Sequence, residues 1–171
     1  MKKFVLFILT GLLVLQSQAQ FTKASLQATG LTCAMCNNAI NKALQKVSFV
    51  ESVKSDIKNS AFNIVFKVND NIDIAVLKKA VEDAGFSVGS LKLTGNFAEA
   101  TVSKDHPVKI GNDNFHFLNM DGQSLSGEKT VTVVDKNYMT AKDFKKYSAV
   151  LKEAASQTVT MQNGKIYYVV I

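Results

Sequence analysis

Between Phe21 and Leu93 the spacing of apolar residues switches repeatedly between the periods of strand and helix, and the order of the switches leaves few folds open. Residues 21–29 alternate, with Thr22, Ala24, Leu26 and Ala28 on one side, which predicts a strand. Residues 37–47 place Ile40, Ala43, Leu44 and Val47 at i, i+3, i+4 and i+7, one face of a helix. Residues 50–57 alternate again. After a turn at Asn59-Ser60, the run 61–68 carries Phe62, Ile64, Val65, Phe66 and Val68, so these two segments predict a hairpin. Asp73 reads as the N-cap of a second helix in which Ile74, Leu77, Val81 and Ala84 recur, closed by Gly85. Residues 86–93 return to strand. The order β-α-β-β-α-β is the split βαβ, ferredoxin-like arrangement, an α+β unit with both helices on one face of a sheet.

The loop between the first strand and the first helix contains the only two cysteines, in the run Gly30-Leu31-Thr32-Cys33-Ala34-Met35-Cys36. Thiols three apart in such a loop can converge on one ion. The N-terminus of a helix carries about half a positive charge, which favours thiolate there. Thiolates are soft ligands, suited to Cu(I), Zn, Cd or Hg rather than Mg or Ca. A disulfide between Cys33 and Cys36 would close a very short loop and add little stability, so a structural role is the weaker reading.

On these residues, the segment 22–93 resembles the heavy-metal-associated domain of copper chaperones, metal-transporting ATPases and the periplasmic mercury-binding protein. The resemblance rests on the loop run, on Val50 and Val53 opening the second strand, and on Glu82-Asp83-Ala84-Gly85-Phe86. It implies that Cys33 and Cys36 are the metal ligands and that Thr32 shapes the loop. A neutral Thr32, where zinc-directed members often carry an acid, tilts the cargo to Cu(I) over Zn, Cd or Hg. Phe86 falls where the family sets an aromatic or a Lys beside the metal, though a plain core role fits it equally. Met35 reads as a solvent-side loop residue. Two positions depart from the family pattern: Leu31 replaces the usual Met, and Asn37 follows the second cysteine. The implied partners are a metal-transporting ATPase or another copper-handling protein.

The first 19 residues read as a secretory leader. Lys2 and Lys3 precede an apolar stretch, residues 4–15, too short for a membrane span, and Ser17-Gln18-Ala19 forms a small-x-small cleavage site. The expected chain is therefore exported, periplasmic or secreted, begins near Gln20 and has no membrane span. Removing Lys2 and Lys3 lowers the net charge of +6 by two. All 20 basic residues are Lys, so the guanidinium fork favoured for phosphate and guanine is missing, and nucleic acid is not an expected partner.

Beyond residue 94 the composition shifts to Gly, Asn, Glu, Thr and Ser, with the only proline at Pro107. This predicts a linker over 95–105, an independent unit over 20–94, and a second, β-rich and possibly OB-like, unit over 106–171. Strands are expected at 108–110, 114–118, 130–135 and 165–171. Turns are expected at Gly111-Asn112, Asp121-Gly122, Ser126-Gly127 and Asn163-Gly164, and a helix over 140–153 capped by Thr140. His116 and Met120, with His106, Met139 or Met161, offer a second soft site, weighed against a strand that simply carries a histidine. Lys142-Asp143-Phe144-Lys145-Lys146-Tyr147 is a basic helix face: solvated surface, or a docking patch for an acidic partner.

The expected function is metal carriage without catalysis: a metallochaperone or scavenger that holds one ion and hands it on. The rival is a thiol–disulfide oxidoreductase using Cys33 and Cys36. Against it stand the absence of Trp and of a proline opposite the pair. A mercury- or zinc-binding protein is the third reading.

Overall fold

The computed structural model describes residues 20–31, 34–103, 106–157 and 165–171. The leader and its cleavage site, Thr32, Cys33, Met161 and the Asn163-Gly164 turn lie outside the described residues.

The first half follows the expected order: β1 (Gln20–Thr29), α1 (Ala34–Gln45), β2 (Val50–Asp56), β3 (Ala61–Phe66), α2 (Ile74–Asp83) and β4 (Ser87–Val102). β1 is central, antiparallel to β3 on one side and β4 on the other, and β2 pairs outside β3. The helices meet each other over this sheet. Ile40 and Leu44 of α1, with Leu77 and Val81 of α2, are buried in one cluster with Leu26, Phe62, Ile64, Leu91 and Leu93. Asp73 caps α2 as expected, its side chain accepting from the Ala75 N–H at 2.8 Å.

The second half adds β5 (Val108–Ile110), β6 (Asp113–Phe117), β7 (Gln123–Val133), α3 (Ala141–Gln157) and β8 (Ile166–Val170). It is β-rich with one helix, as expected. Its strands extend the first sheet instead of closing on themselves: the order is β2-β3-β1-β4-β7-β8-β6-β5.

The polar stretch 95–105 is not a linker over its described length. Residues 95–102 are the second half of β4. They pair with β1 (Phe21↔Gly95, Gln20↔Asn96) and with β7 (Phe97↔Gly127, Val102↔Gln123). Pairing on both sides overrides a composition that disfavours strand, and Phe97 and Val102 supply the buried side chains. Ser126-Gly127 is likewise inside β7 rather than a turn. Gly127, at φ +71, lies beside a register shift against β4, a bulge that a left-handed glycine permits.

The sheet curls strongly. Phe21 of β1 meets Phe115 of β6 edge to face, ring centroids 5.0 Å apart, although β4, β7 and β8 lie between those strands in the hydrogen-bonding order. Phe21 also meets Phe97 at 6.1 Å, and Phe115 stacks on Tyr167 at 5.6 Å. One core therefore runs through both halves.

Candidate metal centre

β1 ends at Thr29 and turns at Gly30, whose φ of +82 suits glycine. Leu31 packs against the core as a half-buried loop anchor. α1 starts at Ala34, three residues earlier than the apolar spacing predicts, so Cys36 lies in its first turn rather than ahead of it. Cys36 is half-buried, whereas Met35 is 83% exposed and points to solvent. The first turn of α1 contains no acidic side chain to oppose an anionic ligand set. Asn37, the departure from the family pattern, is buried with Ile40 and Leu44 and anchors the helix start.

A second turn closes the site from the other side. At the end of α2 the Gly85 N–H donates to the Glu82 carbonyl at 2.9 Å and the Phe86 N–H to the Val81 carbonyl at 3.1 Å. With Gly85 at φ +88 this is a Schellman motif. It delivers the Phe86 ring to Gly30: a Cβ built on Gly30 would stand 4.0 Å from Phe86 Cδ1. Phe86 is half-buried against the core, so it serves both as core residue and as an apolar wall of the loop. Further bonds fix this end of the sheet: the Ala28 N–H donates to the Ser60 carbonyl, Thr29 Oγ1 to the Ser87 carbonyl, and Asn41 Nδ2 to Ser55 Oγ. Next to them, Asn59 donates to Asp56 through its side chain and N–H, which holds the Asp56 carboxyl below its usual range.

The second soft site is not assembled. His116 stacks on Tyr168, ring centroids 5.3 Å apart, while Met120 joins Phe115 and Phe117 in the core. His106 forms an isolated bridge with Ser103. Among the described residues no group of three or more His, Cys, Asp or Glu is placed to hold a metal.

A polar cleft of about 390 Å3 lies next to the loop's root, with Thr29, Lys78, Glu82, Ser87 and Val88 on one wall and Lys136, Asn137, Met139, Thr140 and Ala141 on the other. Sequence reading had not joined Met139 or Lys136 to the loop. Their approach depends on β7 pairing with β4, which carries no local signal.

The family model of the heavy-metal-associated domain matches residues 25–87, and none matches the C-terminal half. The chain is 30% identical over 59 residues to copper chaperone CopZ of Staphylococcus haemolyticus (strain JCSC1435), covering 34% of this chain and 85% of that protein. It is 27% identical over 75 residues to the probable copper-transporting ATPase HMA5 of Arabidopsis thaliana, covering 44% of this chain. The chain spans only 7% of that ATPase's length. A solved CopZ metallochaperone is 24% identical, with a TM-score of 0.36, over 39% of this chain and 98% of its own.

Proposed function

The chain belongs to the heavy-metal-associated domain family, and from that premise we propose that it is an exported carrier of Cu(I), holding one ion between the thiolates of Cys33 and Cys36. The supporting observation is Cys36 in the first turn of α1, on a loop walled by Phe86. Two thiolates three residues apart give a low-coordinate site that suits a soft monovalent ion. Such a site stays open to attack by the thiolates of an incoming protein. The ion then passes through shared ligands and is never released free, so the function is carriage without a catalytic step. The receiving or donating partner is a copper-handling protein such as a metal-transporting ATPase. Among the described residues no helix is long and apolar enough to cross a membrane.

Anaerobic competition tests this reading. The reduced protein is offered Cu(I), Zn(II) and Hg(II) together with a competing thiol, and the bound species are counted by mass spectrometry. One Cu(I) retained per chain is expected. Retention of Zn(II) in its place would overturn the copper assignment, and failure to hold any soft ion would return the cysteines to the oxidoreductase reading.

A further inference from the structure

The basic helix face singled out in the sequence stands at the metal-loop end of the molecule. β7 runs antiparallel to β4, so its end reaches the start of β4 (Lys92↔Thr132). The chain then continues beside Ser87–Gly89, residues 87–89. A Cβ built on Gly89 would lie 2.7 Å from Thr29 Cγ2 and 3.9 Å from Thr140 Cγ2. α3 starts there, at Ala141, with Thr140 as its cap. Phe144, Tyr147 and Leu151 are half-buried and Ala154 is buried, which turns the opposite stripe of Lys142, Lys145, Ala149 and Lys152 to solvent.

The acids around this end are engaged already. Glu82 pairs with Lys78 and Asp83 with Lys79, each at 2.8 Å. Asp143 accepts from Lys146 and from Thr140 Oγ1, and Asp135 accepts from Asn137. Lys136, Lys142 and Lys145 are exposed and form no ion pair among the described residues. Lys145 is four residues into α3, hence only about 6 Å along the helix from its start beside the cleft.

We propose that Lys136, Lys142 and Lys145 form a docking surface for the acidic face of the protein that exchanges metal with the Cys33–Cys36 loop. The assignment rests on the metal-carrier reading, and charge complementarity selects the occupant. A surplus of unpaired positive charge next to the exchange loop attracts a negatively charged surface and raises encounter rates by roughly 10–1,000-fold at low salt. Rim charges act mainly on association and not on residence, which suits a handover complex that has to separate afterwards. Lysine ammonium groups remain hydrated and bind as point charges, in keeping with a brief contact.

The test uses the metal-free, 15N-labelled protein titrated with two synthetic peptides of equal length, one rich in Glu and one with Gln at those positions. Amide shifts from the Glu peptide are expected at Lys136, at Ala141 to Lys145 and near Cys36, and they should fade as ionic strength rises. The triple variant K136Q/K142Q/K145Q should bind the Glu peptide about tenfold more weakly at an unchanged melting temperature. Equal binding by the variant, or shifts centred on Lys42 and Lys46 instead, would overturn the assignment. So would binding of phosphatidylglycerol vesicles through the same lysines without response to the Glu peptide, since the occupant would then be a lipid surface. The triple variant should still load Cu(I) with wild-type stoichiometry, which separates failure of this surface from failure of the metal site.

Discussion

At the scale of single residues, Tyr167 carries the clearest unmet demand. Its hydroxyl is buried without a hydrogen-bond partner, with the Tyr138 ring 5.9 Å away. Burial pushes its ionisation up to about 12, aided by the charges of Asp113 and Asp73. The folded state therefore keeps a proton that the unfolded chain releases near pH 10, so stability falls as pH rises from about 10 to 12. Urea midpoints measured across that interval should fall, and Tyr167→Phe should flatten part of the fall. Because that change also removes an unsatisfied buried hydroxyl, it should leave neutral-pH stability unchanged or raised by up to about 1–3 kcal/mol. A loss of more than that at pH 7 would mean the hydroxyl is bonded in solution. No local pattern could have singled out this tyrosine. The cysteine pair was legible because its residue types and spacing carry its chemistry, whereas the environment of Tyr167 is built from β6, β8 and the residues between β7 and α3.

At the scale of elements, legibility followed the reach of the interactions. Strands β1 to β3 and helices α1 and α2 declare themselves through local periodicity, a cap at Asp73 and a stop at Gly85. α1 starts early because Ala34, Met35 and Cys36 carry no apolar spacing of their own yet fit the first turn of a helix. β4 and β7 hid their length. Gly95 and Asn96 look like punctuation, but they sit opposite Phe21 and Gln20, and a Cβ on Gly95 would fall 2.7 Å from the Gln20 carbonyl oxygen. Glycine there allows the close strand approach that the composition seemed to deny. Leu125 tests the consequence. It is fully buried in β7 among polar neighbours, and it belongs to the same core as Leu91 and Leu93. Leu125→Ala should therefore cost about 2–5 kcal/mol in urea unfolding, as a core leucine does. A cost under about 0.5 kcal/mol would place β7 on the periphery.

At the scale of the whole molecule, the halves share a sheet and a core. Phe21 of the first half packs on Phe97 and Phe115, and β4 gives one end to each half. The full chain should melt in one cooperative transition. A chain ending at Thr94 loses the rest of β4, its β7 partner and the aromatic cover of Phe21, so it should melt well below the full chain; equal melting temperatures would make the second half a passive appendage. What the shared sheet carries to its end is the loop between β1 and α1, with Phe86 against Gly30 and the lysines of α3 close by. The direct measurement of its role is Cu(I) affinity and stoichiometry under anaerobic conditions for the reduced wild-type chain beside the C33S/C36S double variant. One tightly held Cu(I) in the wild type, and none in a double variant that melts at the wild-type temperature, is the expected result. Tight one-to-one binding retained without both thiols would contradict it and move the metal elsewhere in the chain.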